Sequence, residues 1–354
     1  MKKILFVAAA ALALFASCQK TEVVYNEGPQ EISFVAVNKV ATKTPVDGTT
    51  FRRGDNMQVA AYIVEGAADG WGHDFFSKTL FAKEGSASYW TGQPARYWPL
   101  TTSKINFLAV TQVAGGIDGK TDVTFDSPYA SKAVIDFKEN NCHNQCDLMF
   151  AAGQGIHEQG AKYDQVSMVF KHALAWINFR VSTSTPAPTG TEGCTITVNS
   201  ITLNNAVYGG KLTLTNDQYE DTTPQTTADV VADWDITSQT KYKLTVPNEA
   251  GSDAADPVIL NSTPTLFGNG LLVVPDGYAE SFTINYTLKQ SDGKENTFDY
   301  TYNLPNSGSW QMAMKYFYNI SISLTEIEID PSVTDWDETG ITTPLDGVGA
   351  EETI

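Results

Sequence analysis

Over the second half of the chain, apolar and polar side chains alternate with a period of two. Tyr242, Leu244 and Val246 alternate with Lys243 and Thr245. Phe282, Ile284, Tyr286 and Leu288 alternate with Thr283, Asn285 and Thr287. Phe298, Tyr300, Tyr302 and Leu304 repeat the pattern, and Tyr316, Tyr318, Ile320, Ile322 and Leu324 repeat it again. Successive strand residues point to opposite faces, so each run predicts a strand with one apolar and one polar face. That is the requirement of an antiparallel sheet packed on one side and wet on the other. Between the second and third runs, Ser291-Asp292-Gly293-Lys294 carries the Asp-Gly pair that suits a tight hairpin turn.

The first half reads as shorter apolar runs at residues 32–37, 57–64, 105–110, 123–125, 134–137 and 148–152. Residues 165–181 fit two periods. Val166, Val169, Phe170, Ala173, Leu174 and Ile177 make a helical face, whereas Ile177, Phe179 and Val181 alternate at strand period. The Val, Ile and Phe content and the neighbouring strands favour two strands meeting near His172-Ala173. Residues 182–193 are Thr, Pro and Gly with no apolar pattern, and mark a domain boundary. The expectation is an all-β protein with one antiparallel β-sandwich at 31–183 and a second at 194–336, followed by a tail at 337–354.

The amino terminus breaks the pattern. Lys2 and Lys3 precede an apolar run from residue 4 to 15, which leads into Leu14-Phe15-Ala16-Ser17-Cys18. A positive start, a short apolar middle and small residues before a cut make residues 1–17 a secretory signal; the run is too short to span a bilayer. The cysteine after Ala16-Ser17 resembles a lipobox, so Cys18 is the expected site of lipid attachment, palmitate included, and the first residue of the mature chain. Residues 18–30 are then a polar spacer, and the protein sits on a membrane of a Gram-negative cell.

Composition narrows the function. Net charge is −18 and only 18% of residues are charged. That excludes a nucleic-acid binder, which needs a basic face, and leaves membrane attachment to the lipid. Beyond Cys18, the cysteines Cys142, Cys146 and Cys194 allow at most one internal disulfide, so disulfides are not the framework of the fold.

Catalysis finds no good foothold. His73, His143, His157 and His172 lie in no spaced motif with a nucleophile. His172 reads as structural. Cys142-His143-Asn144-Gln145-Cys146 offers a metal no fourth ligand at a known spacing; a loop disulfide or free thiols fit it better. No glycine-rich loop opens a helix, and no cofactor is implied. Arg53-Gly54-Asp55 spells a receptor-recognised tripeptide, but reads as a turn before a strand. Trp71, Tyr89, Trp90, Tyr97 and Trp98 crowd one region; they suit either sugar stacking or a sandwich core.

The order of several short pieces resembles the fimbrillin, or Mfa-like, family of surface lipoproteins. These are Ile32-Ser33-Phe34, Gly54-Asp55, Val59-Ala60-Ala61, Tyr97-Trp98-Pro99 and Ile105-Asn106-Phe107-Leu108-Ala109. Asp147-Leu148-Met149-Phe150-Ala151, Phe170-Lys171-His172-Ala173-Leu174-Ala175, Leu272-Val273-Val274-Pro275, Tyr316-Phe317-Tyr318 and Val333-Thr334-Asp335-Trp336 complete the series. The resemblance implies two transthyretin-like sandwiches in series and no enzymatic activity. It also implies an outer-membrane, cell-surface subunit of a fimbria, whose partners are other fimbrial subunits and, for an adhesive member, a ligand on a host or bacterial surface. In pilus-forming members a protease removes the first strand, here the one holding Ile32, Phe34, Val35 and Val37. The family is cut after a basic residue, usually arginine. Lys43 occupies the matching position, with Arg52 and Arg53 as alternatives. A neighbour's strand then fills the groove; the tail residues Ile341, Thr343, Leu345 and Val348 are the candidate donor. A non-polymerising surface lipoprotein that binds glycans is the competing reading.

Overall fold

The computed structural model describes residues 29–37, 56–64, 73–83, 89–99, 103–113, 121–125, 132–138, 145–157, 165–184, 193–215, 231–235, 241–248, 253–275, 279–305, 310–335, 343–344 and 350–353. Among them the helices and strands are all strands, grouped into four sheets.

The first sheet has eight strands. In hydrogen-bonded order they are β10 (Lys171–His172), β8 (Asp147–His157), β5 (Ser103–Val113), β2 (Asn56–Val64), β3 (His73–Lys83), β4 (Trp90–Gln93), β1 (Ser33–Val37) and β9 (Val166–Val169). Its two ends approach each other. A Cβ added at Gly153 of β8 would lie 2.5 Å from Met168 Sδ and 3.1 Å from Ser167 O, both on β9. The sheet thus curls around its own core of Ile32, Phe34, Val59, Phe81, Phe107 and Met168, all fully buried.

Strands β2, β5 and β8 are covered on both faces. Met57, Val59 and Ala61 face that inner core, while Ala60 and Tyr62 face a second one. The cover on the second face is a four-stranded sheet of β14 (Val231–Asp235), β13 (Gly210–Thr215), β7 (Lys132–Phe137) and β6 (Thr121–Phe125). Its Ile135, Phe137, Leu212 and Trp234 pack on Leu108, Val110 and Leu148. Here sequence position and sheet membership part company: β13 and β14 lie beyond residues 182–193 yet continue the ladder of β7, with Leu212 opposite Ile135.

Two sheets form the other sandwich. One holds β17 (Thr265–Leu266), β11 (Ala175–Ser182), β21 (Met314–Ile322), β22 (Glu326–Asp335) and β23 (Thr343–Pro344), with β18 (Leu271–Val273) also on β11 and β24 (Ala350–Thr353) also on β22. The other holds β15 (Tyr242–Thr245), β12 (Cys194–Ala206), β19 (Ser281–Gln290) and β20 (Glu295–Asn303), with β16 (Val258–Ile259) on β12. Phe179, Phe282 and Tyr318 meet between them, with ring centroids 5.0–5.8 Å apart. The outer face of the second sheet is a field of cross-strand polar pairs. Thr283 bonds Thr301 at 3.0 Å, Thr287 bonds Thr297 at 2.9 Å, and the Asn285 amide donates to Asp299 at 2.7 Å. The alternation read from the sequence has this cause: one face is core, the other makes polar contacts with water.

Residues 165–181 form strands, broken at Phe170 and again at Ala173-Leu174. The mixed period arises because the chain changes cores there. Phe170 packs in the first core, Ala173 and Leu174 in the second, and Ile177 and Phe179 in the third. His172 is buried, with Nδ1 2.6 Å from the buried carboxylate of Asp147. The β19–β20 turn is the expected one, with Gly293 at φ 86°. Two positions of the alternating runs are corrected: Leu324 lies past the end of β21 and is 54% exposed, and Phe298 stays 42% exposed, stacked on Tyr286. The hairpin outruns the sandwich, so its far end has no opposite layer.

Candidate functional site: the place of the first strand

Strand β1 is short and lies between two partners. It runs antiparallel to β4, with Phe34 opposite Trp90, and parallel to β9, with Phe34 opposite Val166. The residues before it are laced to the stretch after β4. Ile32 N–H donates to Arg96 O at 2.7 Å, Trp98 N–H donates to Gln30 O at 2.9 Å, and Glu31 bridges Tyr97.

Period two sends Ile32 and Phe34 inward, where neither keeps any exposed surface. The Phe34 ring stands edge-on to Phe81 at 4.8 Å and to Phe107 at 5.0 Å. Trp98 closes on Phe107 at 5.9 Å. Gly92 of β4 makes the fit close: a Cβ there would sit 3.2 Å from the Phe81 ring and 2.9 Å from Pro94 O. The rings that line the well meet charge at its rim: the Arg96 guanidinium lies over the Phe76 ring at 5.2 Å and bonds Thr79, and Lys83 Nζ lies over the Trp90 ring at 5.9 Å. Burial of this kind stabilises by about 1.5–3 kcal/mol for each such side chain. The place of β1 is therefore a slot with two sheet edges for walls and aromatic rings for a floor.

Of the other predicted strand residues, Val35 is half-buried on the opposite face, and the backbone of Val37 pairs with Val169. Cys18, Lys43, Arg52, Arg53, Ile341, Leu345 and Val348 lie outside the described residues. Thr343 belongs to β23, which runs antiparallel to this chain's own β22, opposite Val333; β24 continues along the same strand, with Ala350 opposite Ile329. Sequence reasoning missed the walls and floor. β9 follows β1 by more than a hundred residues, and nothing in Val166-Ser167-Met168-Val169 announces a parallel partner.

The aromatic crowd divides. Trp90 and Trp98 are core residues, whereas Tyr89 and Tyr97 are 39% and 46% exposed. The resemblance at Tyr97-Trp98-Pro99 favours core for both rings, and Tyr97 is corrected: the period of two that buries Trp98 turns its neighbour outward. Trp71, Cys142, His143 and the Arg53-Gly54-Asp55 tripeptide lie outside the described residues. Cys146 is buried, and Cys142, its candidate partner in a loop disulfide, lies outside the described residues. Cys194 is also buried and free, and burial pushes its thiol above the ordinary value. A raised pKa leaves less thiolate at any given pH. Alkylation of Cys194 by iodoacetamide at pH 8 is expected to be slow in the folded protein and to rise at least about tenfold on unfolding in guanidinium. Mass mapping of the modified cysteines reads this directly; equal rates in both states would show the site to be open.

The described residues define an all-β protein built of several antiparallel sheets, with its first strand inserted late in the sheet order between two strands distant in sequence. The chain belongs to the fimbrillin-like family, whose sequence model matches residues 42–336. Among solved structures it is similar to a fimbrial protein from Bacteroides vulgatus, at 17% identity and a TM-score of 0.58, over 87% of this chain and 99% of that one. It is also similar to a fimbrial assembly protein from Parabacteroides distasonis, at 10% identity and a TM-score of 0.41, over 90% and 100% of the two chains. A third similar structure is the fimbrial anchor protein Mfa2 from Porphyromonas gingivalis, at 10% identity and a TM-score of 0.34, over 87% and 98%. No curated protein matches the chain.

Proposed function

We propose that this protein is a non-enzymatic structural or adhesive subunit of a cell-surface fimbria, exported as a lipoprotein on Cys18 and assembled by strand exchange after loss of β1. The observation that carries the reading is the position of β1. It is a single strand at the start of the fold, walled on both sides and seated on a deep apolar floor. It is joined to the rest through residues 38–55, which contain Lys43, Arg52 and Arg53. A cut in that connection severs β1 from every described strand that follows it. Its departure leaves two unpaired edges and an open aromatic well, and an unpaired edge is a template for another strand. A strand-in-slot contact joins unlike surfaces and does not close, so contacts of this kind passed from subunit to subunit build a filament. The glycan-binding alternative is weakened because Trp90 and Trp98, two of its stacking candidates, are spent in the core.

Mass spectrometry of surface-assembled protein is expected to find an amino terminus at Thr44, Arg53 or Gly54. Cys18→Ala is expected to leave the precursor uncut or to release the protein from the outer-membrane fraction. Fibres made only of the full-length lipidated chain would refute strand removal. An alanine variant of unchanged mass in the same fraction would refute the anchor.

A further inference from the structure

We infer that the place vacated by β1 is filled by a strand from a non-identical subunit, one carrying an aromatic residue at the Phe34 position, and not by the tail of a second copy of this chain. The inference rests on the strand-exchange reading and names the partner it requires. Three observations carry it.

The first is the shape of the slot. Phe34 is fully buried and touches Phe81 and Phe107 edge-on at 4.8 and 5.0 Å. A smaller side chain leaves a void between the Phe81 and Phe107 rings. The pattern then asks for a large aliphatic residue in the fully buried Ile32 place.

The second is the tail itself. Residues 337–354 contain no aromatic side chain. With the tail running in the direction of β1, either Ile341 or Leu345 in the Phe34 place brings Pro344 within the five residues that β1 occupies. The first register sets Pro344 in the Val37 place, paired only with β9, and the second sets it in the Ser33 place, paired only with β4; a residue without an N–H weakens the ladder at either end of so short a strand. Setting Val348 in the Phe34 place puts Asp346 where Ile32 is buried. A carboxylate there has only apolar neighbours, and its burial is prohibitive.

The third is that the tail backbone is already engaged, with Thr343-Pro344 and Ala350–Thr353 paired to β22 of the same chain. Donation would have to break that pairing as well.

The test uses the full mature chain with a specific protease site inserted between residues 37 and 56. After cutting, the retained β1 fragment is challenged with fluorescent peptides. One spans residues 30–37, one is the same peptide with Phe34→Leu, and one spans residues 337–354. The first is expected to displace the fragment, the leucine version to bind at least about tenfold more weakly, and the tail peptide to give no exchange. Tail binding as tight as that of the 30–37 peptide would overturn the inference while leaving strand exchange standing. Equal binding by the leucine version would overturn the aromatic requirement. If no peptide enters, the 30–37 sequence included, strand exchange itself is refuted for this protein, and this inference falls with it.

Discussion

Phe34→Ala is expected to lower the stability of the folded chain by about 3–5 kcal/mol, the usual cost of removing a buried ring. The argument is geometric. Phe34 keeps no exposed surface and joins Phe81 and Phe107, which themselves sit in the core with Phe76 and Trp98. The Phe rings belong to β3 and β5, whose backbones are fixed by ladders on both sides, so the cavity resists collapse. Val35→Ala, one residue along and half-buried on the opposite face, is expected to cost less than about 1 kcal/mol. Denaturation in guanidinium measures both. A Phe34→Ala cost equal to that of Val35→Ala would mean that the well is not packed as described. The same variant is expected to shed a cut β1 fragment faster than the parent, because the ladder to β4 and β9 would then hold it almost alone.

Gly270→Ala is expected to cost about 3 kcal/mol or more, from backbone strain and overlap together. Gly270 has φ +70°, and a Cβ there would come within 2.6 Å of Trp176 Nε1, 2.7 Å of Asn178 Oδ1 and 2.7 Å of Ile177 O. None of these can retreat. Trp176 is buried and donates to Asn269 O at 3.2 Å, and Ile177 is mid-strand in β11. Gly270 O accepts from the Gln145 amide at 3.1 Å, and the oxygen of the same amide takes the Leu272 N–H. The substitution therefore strikes the point where the residues before β8 are tied to β18. Gly293→Ala separates the two causes. Its φ is +86° but nothing lies within 4 Å of the added carbon, so it should carry only the backbone cost of about 1–2 kcal/mol. If the two variants melt alike, the contacts at Gly270 contribute nothing.

The alternating runs near β19, β20 and β21 announced their strands because each has one face on a single core. Strands β2, β5 and β8 announced themselves differently, as apolar runs, because both of their faces are covered. Strand β12 was silent. Ile196 and Val198 fall on one phase and Ile201 and Leu203 on the other, because the ladder to β19 slips between Val198 and Ser200. The extra residue, Asn199, turns its amide to Asn285 and Thr287 at 2.8 and 2.9 Å. A bulge changes the phase of a strand without changing its burial, so period counting loses it.

The sequence by itself determined the all-β class, most of the described strands, the hairpin turn at Gly293 and the family, because these rest on local period, turn chemistry and short motifs. It also marked Ile32 and Phe34, whose spacing of two is visible in any register. Only the tertiary structure decided what those two residues fill. The parallel partner β9, the aromatic floor from β3 and β5, and the crossing of β13 and β14 onto β7 join segments many tens of residues apart, and no local preference encodes which distant edge a strand will meet. The pairing of Thr343–Pro344 and Ala350–Thr353 with β22 is of the same kind: the sequence offers the tail as a candidate donor, and only the ladder shows the strand beside which these residues lie.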